Sequence, residues 1–253
     1  WTFKTKEPTQ AVILGNAGVA GAVLSYVDST NKTVTADGIG SYSIIVPFHW
    51  SGIITPAKSG YLFLPKNASF SDLTAIQTIQ NFNAAKAYTI DGNAGLPGVT
   101  LSYTDGTPRT VVSTSDGTYS ILVPQNWSGT VTPSKPGFTF LPASKSYTNI
   151  TANHTEQNYK ALVSISGNAG VAGAKLSYKD GVLKTVTANS SGDYSLHVPV
   201  GWTGIVTPSK SGFTFLPISR SYNNLQGNKT TQNYTATDAP VVLSSVRADS
   251  SPT

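Results

Sequence analysis

Short runs in which apolar and polar residues alternate fill most of the chain. In DYSLHVP (193–199) the apolar residues Tyr194, Leu196 and Val198 recur at every second position, which is the period of a β-strand. The runs are rich in Thr, Val, Ile and Tyr, and Gly, Pro, Asn and Asp separate them, as expected for strands joined by tight turns. This pattern predicts an all-β chain with little helix.

The pattern occurs three times. GNAGVAGAVLSY begins at Gly15, GNAGLPGVTLSY at Gly92 and GNAGVAGAKLSY at Gly167, and each copy runs 68 residues without a gap to a closing QNF or QNY. Other landmarks recur at constant positions within the copies. They are a tyrosine (Tyr42, Tyr119, Tyr194), a tryptophan (Trp50, Trp127, Trp202), a Thr-Pro pair (Thr55, Thr132, Thr207) and the glycine of a G-aromatic-x-FLP-like motif (Gly60, Gly137, Gly212).

Each copy contains about seven strand-like runs, the number typical of a small antiparallel β-sandwich. We therefore predict three tandem seven-stranded sandwiches in an extended rod, the last strand of each being the QN-aromatic segment. The predicted domains are residues 11–85, 86–161 and 162–236, with an N-terminal extension or strand over 1–10 and a C-terminal strand or tail over 237–253.

The segments between the copies are short. NAAKAYTID joins the first two copies and KALVSIS joins the second and third; both contain strand-forming residues and no Gly or Pro. Such junctions favour a stiff rod over flexibly linked beads.

The recurring tryptophans have two interpretations. Aromatic side chains dominate the cores of small domains, which favours a core role for Trp50, Trp127 and Trp202. The alternative is an exposed aromatic platform that binds sugars, and the sequence does not show which way the rings face.

Composition narrows the class of protein. Cys and Met are absent and only 11% of residues are charged, which is typical of β-rich extracellular proteins and excludes disulfides and thiol chemistry. The net charge is +5, but the basic residues are scattered singly, so no nucleic-acid partner is expected. No apolar run is long enough for a membrane span, and we expect a secreted chain whose signal peptide has been removed.

The repeated motifs resemble those of a known family. GNAGVAGAxLSY, then TVTANSSGDYSLxVPxGW, then SGFTF are similar to the carboxypeptidase-regulatory-like domains, which have a transthyretin-like (prealbumin-like) fold. The resemblance covers residues 11 to 236. It implies an Ig-like, transthyretin-like sandwich, usually in tandem in secreted or cell-surface proteins, without catalysis of its own.

Candidate chemistry is sparse. The recurring acids Asp28, Asp105 and Asp180 fit hairpin turns, with ion binding as the alternative. A recurring lysine (Lys58, Lys135, Lys210) suggests an ion pair or a stem that covers apolar surface. The histidines His49, His154 and His197 share no repeat position. We predict no catalytic residue, cofactor site or metal site, and no enzyme activity.

Glycosylation is the main covalent modification that the sequence predicts. Eight Asn-x-Ser/Thr triplets occur, about twice the number that the composition gives by chance. The candidate acceptors are Asn31, Asn67, Asn126, Asn149, Asn153, Asn189, Asn228 and Asn233.

Both ends of the chain contain strand-like residues outside the copies. They are Trp1 and Phe3 at the front and Val241, Val242, Leu243 and Val246 in the tail. A single strand is not stable alone, so each end is expected to pair with its own edge strand, a further domain or a neighbouring molecule.

These features predict a non-enzymatic extracellular protein. The leading hypothesis is a cell-surface stalk or a filament subunit, with copies joined head to tail as a homopolymer by exchange of terminal strands. The alternative is a carbohydrate-binding or adhesive accessory region of a larger secreted protein.

Overall fold

The structure, a computed structural model, describes residues 9–240. All regular secondary structure in this range is β-strand, which confirms the predicted all-β fold class. Residues 9–240 contain no helix that is long and apolar enough to cross a bilayer.

Eight strands lie in the first copy, and the ninth leads into the second. They are β1 (Gln10–Asn16), β2 (Val23–Asp28), β3 (Thr30–Thr35), β4 (Ser41–Pro47), β5 (Trp50–Ala57), β6 (Tyr61–Leu64), β7 (Ala68–Leu73), β8 (Gln77–Ile79) and β9 (Asn83–Asn93).

The second copy continues with β10 to β15, and β16 leads into the third. These strands are β10 (Thr100–Asp105), β11 (Thr107–Val112), β12 (Thr118–Pro124), β13 (Gly129–Ser134), β14 (Thr139–Leu141), β15 (Lys145–Tyr147) and β16 (Lys160–Asn168).

The third copy contains the remaining strands. They are β17 (Lys175–Asp180), β18 (Val182–Thr187), β19 (Asp193–Pro199), β20 (Trp202–Ser209), β21 (Phe213–Leu216), β22 (Arg220–Leu225) and β23 (Thr235–Asp238).

The three copies have the same sheet topology. In the first, a four-stranded sheet has the order β3-β2-β5-β7 and a second sheet has the order β4-β1-β8, with β8 parallel to β1. The four-stranded sheets of the others are β11-β10-β13-β15 and β18-β17-β20-β22. Where the first copy has β8, the others have single parallel bridges, Ile90 to His154 and Ile165 to Lys229. The fold is thus three tandem sandwiches with seven strands in common.

Each sandwich has its own apolar core. Along β4 the residues Tyr42, Ile44 and Val46 are buried and the residues between them are not, as the strand period requires. Three clusters of buried residues result, one per copy. Burial of this apolar surface is the main stabilising contribution, since the chain has no cysteine for disulfides.

The predicted closing strand at QN-aromatic is wrong, because Gln80–Phe82 and its counterparts are irregular. The amides of Gln80 and Phe82 do donate to Leu14 and Asn16 of β1, at 2.8 and 2.9 Å. However, the amide of Asn16 donates to the Asn81 side chain, and the carbonyl of Gln80 accepts from the Tyr42 hydroxyl. Side chains thus replace the backbone partners that a regular ladder would need.

Candidate functional site

The junctions between sandwiches are the most distinctive feature of the described chain. Strand β9 belongs to two sandwiches: Asn83–Lys86 pair with β6 of the first, and Ala87–Asn93 pair with β12 of the second. The predicted boundary between residues 85 and 86 therefore lies inside a continuous strand. The junction residues are strand residues, as the sequence predicts, and no unpaired residue separates the two ladders.

A single peptide group lies at the centre of the first junction. Its N–H, from Ala87, donates to the carbonyl of Gly60 in the first sandwich at 2.8 Å. Its carbonyl, from Lys86, accepts from the amide of Gln125 in the second sandwich, also at 2.8 Å. One planar unit is therefore hydrogen-bonded to both neighbours, which restricts rotation about the chain at this point.

The second junction also runs through one continuous strand, and it adds an apolar contact. In β16, Lys160–Leu162 pair with β14 of the second sandwich, Leu162–Asn168 pair with β19 of the third, and the carbonyl of Ala161 accepts from the amide of Val200 at 3.0 Å. The side chains of Phe138 and Val200 each pack against the cores of both sandwiches. Hydrophobic contact therefore supports the hydrogen bonds here.

The GNAG motif organises the start of each sandwich. At Gly15 a Cβ atom would lie 1.7 Å from the Gln80 carbonyl oxygen, so only glycine allows the irregular segment to cross β1 here. The Asn16 side chain accepts from the amide of Gly18 at 2.7 Å and donates to the carbonyl of Ile39 at 2.9 Å. The motif therefore has a structural role.

The recurring lysine holds the loop that follows GNAG. The Nζ atoms of Lys135 and Lys210 donate to the carbonyls of Pro97 and Ala172 at 2.5 Å, and Lys58 makes the equivalent bond to Ala20. The expected carboxylate partner is absent from these contacts. The lysine instead satisfies a backbone carbonyl with a charge-assisted bond.

The recurring aspartate pairs with a second recurring cation that sequence reasoning missed. Lys32 Nζ lies 2.6 Å from Asp28, Lys184 Nζ lies 2.6 Å from Asp180, and Arg109 lies 3.3 Å from Asp105. In each copy the cation follows the acid by four residues, a signal present in the sequence. These pairs occupy the turn from β2 to β3 and its counterparts, and no cluster of three or more metal-ligating residues occurs in residues 9–240.

The recurring tryptophans are buried in the cores, as the favoured interpretation predicts. Trp50, Trp127 and Trp202 are 7%, 7% and 8% exposed. Each indole N–H donates to a strand carbonyl, and each ring occupies the space beside a glycine two residues later. No ring face is free to stack on a sugar, so the exposed platform is wrong for these three residues.

The histidines are dispersed in the structure as they are in the sequence. His49 pairs with Asp72 at 2.6 Å on the surface of the first sandwich, and His154 packs edge-on against Tyr147. His197 is exposed on β19. The structure brings no two of them together.

The eight candidate glycan acceptors are all exposed, but most have a structural role. Asn126 and Asn149 have left-handed backbone angles, φ 66° and 51°, which asparagine tolerates well. The side-chain oxygens of four others accept backbone hydrogen bonds, and these residues are Asn153, Asn189, Asn228 and Asn233.

Only Asn31 and Asn67 have no comparable role within residues 9–240. Local folding requirements thus account for most of the excess of these triplets over chance.

The candidate assembly strands lie outside the described residues. This applies to Trp1, Phe3, Val241, Val242, Leu243 and Val246.

Buried tyrosines predict a loss of stability at alkaline pH. The Tyr42 hydroxyl donates to the Gln80 carbonyl at 2.5 Å, and burial raises the pKa of Tyr42 to about 12. Burial likewise raises the pKa of Tyr119 and Tyr194, which make the same bond. Because unfolded tyrosine ionises near pH 10, the unfolded state releases these protons first, and stability present below pH ~10 falls as the pH rises further.

Urea unfolding at several pH values, with absorbance at 295 nm to follow tyrosine ionisation, measures this effect. Tyr42→Phe is expected to flatten the pH dependence of the first sandwich, whereas Tyr61→Phe, at a residue with no such bond in residues 9–240, serves as the control. Constant stability from pH 8 to 11 contradicts the prediction.

Comparisons with known proteins give one sequence relative and several distant structures. No family model matches the chain. The chitinase ChiA of Flavobacterium johnsoniae is 35% identical over 196 residues, which cover 70% of this chain and 12% of that protein. This chain therefore spans only a small part of the relative's length.

Solved structures that align include three bacterial proteins, two of which are pilins. The Bacillus anthracis TIE protein has 12% identity over 90% of this chain and 51% of its own, with a TM-score of 0.26. A streptococcal ancillary pilin has 9% identity, coverage of 92% and 100%, and a TM-score of 0.26. The major pilin subunit BcpA of Bacillus cereus has 12% identity, coverage of 89% and 99%, and a TM-score of 0.25. At these TM-scores no inference about this chain follows from the alignments.

Proposed function

We propose that the three sandwiches form a stiff, non-catalytic spacer in a larger extracellular protein, with each sandwich a member of the carboxypeptidase-regulatory-like family. The observation that carries this proposal is the strand shared across each junction. The last residue paired with β6 is Lys86 and the first paired with β12 is Ala87, so the linker has no free length. A spacer of this kind holds the parts of a protein at a fixed separation.

The polar groups at the junction favour stiffness over flexibility. Bending at the first junction requires loss of the bonds from Ala87 to Gly60 and from Gln125 to Lys86. Each is worth about 1 kcal/mol net. At the second junction, bending also exposes the apolar contact of Phe138 and Val200. The sandwiches are therefore expected to tumble as one body.

Insertion of Gly-Gly-Ser between Lys86 and Ala87 is expected to release the first sandwich from the second. NMR relaxation and residual dipolar couplings of the full chain measure this, since a stiff array gives one alignment tensor and released sandwiches give different ones. The control is the same insertion after Gly227, in an open loop of the third sandwich. Different tensors for the sandwiches of the unmodified chain would contradict the proposed spacer.

A second candidate is an accessory region of a secreted enzyme that acts on polysaccharide. The observation in its favour is the 35% identity to part of a chitinase. A pull-down of the full chain with insoluble chitin distinguishes a region that binds the polysaccharide from one that acts only as a spacer. Retention of the chain on chitin would support direct binding through residues other than the three buried tryptophans. If the chain is not retained, the spacer function is favoured.

The filament version of the proposal depends on exchange of terminal strands between copies of this chain at the cell surface. Electron microscopy of the native protein, with and without residues 241–253, tests this. Filaments that persist without the tail would exclude it as the exchanged strand, and the absence of filaments from native material would exclude the polymer.

We further propose that any attached glycans lie at Asn31 and Asn67, because these exposed side chains have no folding role among the described residues. Peptide mass spectrometry of the native protein is expected to find modification there first. Glycans at Asn126 or Asn149 without any at Asn31 or Asn67 would contradict the assignment.

A further inference from the structure

The third sandwich ends in the same half-junction that links the first sandwich to the second. Strand β23 pairs with β21 in the register in which the first part of β9 pairs with β6, with Phe213 opposite Asp238 as Tyr61 is opposite Lys86. The amide of Ala239 donates to the carbonyl of Gly212 at 2.8 Å, as that of Ala87 donates to Gly60. The Asp238–Ala239 peptide group therefore corresponds to the one at the centre of the first junction.

The other half of the junction recurs at the start of every sandwich. An amide from the turn after the β4-type strand donates to the carbonyl of the residue just before the stretch that pairs with that strand. The bonds are Phe48 to Thr9 at 3.1 Å, Gln125 to Lys86 at 2.8 Å and Val200 to Ala161 at 3.0 Å. A further sandwich of this type would therefore bring a backbone amide to the junction, and the Asp238 carbonyl would accept a hydrogen bond from it.

An apolar side chain lies at the corresponding place on the end face. Phe213 is the counterpart of Phe138, which packs against the cores on both sides of the second junction. Phe213 is half-buried, with the Lys210 ammonium 5.1 Å from the centre of its ring. The next sandwich supplies Val200 at the second junction, so a residue of that kind would complete the contact.

We propose that the end face of the third sandwich, formed by Gly212, Phe213 and β23, is the seat of a further β-sandwich joined in line through β23. This face continues the pattern of the interior junctions, because it reproduces the register and the amide-to-glycine hydrogen bond of the first junction. This proposal rests on the proposed spacer function, because it extends the same kind of junction to a further domain after the third sandwich. The occupant is a domain whose first strand continues β23 without a spacer.

A chain with four sandwiches tests whether this end face holds a further sandwich. Residues 1–236 are fused directly to a second copy of residues 162–240, so that Ala236 stands where Ala161 stands in the second junction. A control carries a ten-residue Gly/Ser linker at the fusion point. Hydrogen exchange read by mass spectrometry measures local opening of the third sandwich in the fusion and in the unmodified chain. Phe213→Ala is combined with Val200→Ala of the added copy, and Phe138→Ala of the interior junction is the reference.

The expected result is coupling between the added sandwich and the third. In the direct fusion the two variants should be coupled by about fivefold or more in the opening constant, whereas the linker control should give no coupling. Dipolar couplings should place the added sandwich in the alignment tensor of the rest. Phe213→Ala in the unmodified chain should have a smaller effect than Phe138→Ala.

Three results would contradict the proposed docking of a further sandwich on this end face. The first is independent tumbling of the added sandwich while the interior junctions stay stiff, which leaves the spacer intact and so separates the two proposals. The second is an effect of Phe213→Ala in the unmodified chain equal to that of Phe138→Ala at every concentration, which assigns the face to the chain's own tail. The third is an effect of Phe213→Ala in the unmodified chain that appears only at high protein concentration, which would mean that a second copy of the chain binds this face.

Discussion

Gly15→Ala is expected to destabilise the first sandwich by about 3 kcal/mol, the upper part of the range for forced overpacking. The new Cβ would lie 1.7 Å from the Gln80 carbonyl oxygen and 2.9 Å from the Tyr42 ring. The nearest obstacle is backbone, so no side-chain rotation relieves the clash. The segment that follows β8 must move away from β1, and the bond from the Tyr42 hydroxyl to Gln80 is then lost.

Hydrogen exchange resolved by sandwich measures this loss within the full chain, where the second and third sandwiches serve as internal references. The matched control is Gly38→Ala, since a Cβ there meets nothing within 4 Å. It should change stability by less than about 0.5 kcal/mol. Equal effects of the two substitutions would mean that the close approach at Gly15 does not require glycine.

Trp202→Ala is expected to cost about 4 kcal/mol, in the range for deletion of a buried aromatic side chain. The indole is 8% exposed and packs near Tyr178 and Tyr222, with ring centroids 6.3 and 6.0 Å away. Its N–H donates to the Lys179 carbonyl at 2.9 Å, and the ring fills the space where a Cβ of Gly204 would be. Alanine therefore leaves a cavity and removes one hydrogen-bond donor.

Trp202→Phe separates these contributions, because it keeps most of the packing and loses the indole N–H. It should cost about 1 to 2 kcal/mol, and Ile205→Ala, at a side chain that is 53% exposed, should cost less than either. Chemical unfolding followed by circular dichroism and hydrogen exchange gives the comparison. If Trp202→Ala were nearly neutral, the tryptophan would not be a core residue.

Most of the fold could be predicted from local sequence because neighbouring residues encode it. The alternation in DYSLHVP predicts β19, and this strand spans Asp193–Pro199 in the structure. The constant spacing of the tryptophans predicts equivalent core positions, and all three are buried. Side-chain period and burial depend on residues close in sequence, which a linear pattern records.

The junctions could be predicted only in part. The strand character of NAAKAYTID is visible in the sequence, but its division between two ladders is not, because β9 gains both partners through contacts with β6 and β12. The same limit explains the error at QN-aromatic. There the side chains of Asn81 and Tyr42 take backbone partners 65 and 38 residues away in sequence.

By itself the sequence determined the all-β class and the three copies, because apolar periodicity and repetition are properties of the chain as written. The tertiary structure alone decided that consecutive sandwiches share a strand, that one peptide group at the first junction bonds to both neighbours, and that the third sandwich ends in a matching half-junction. These features depend on which backbone groups meet across the fold, and backbone hydrogen bonds carry no signature of residue type.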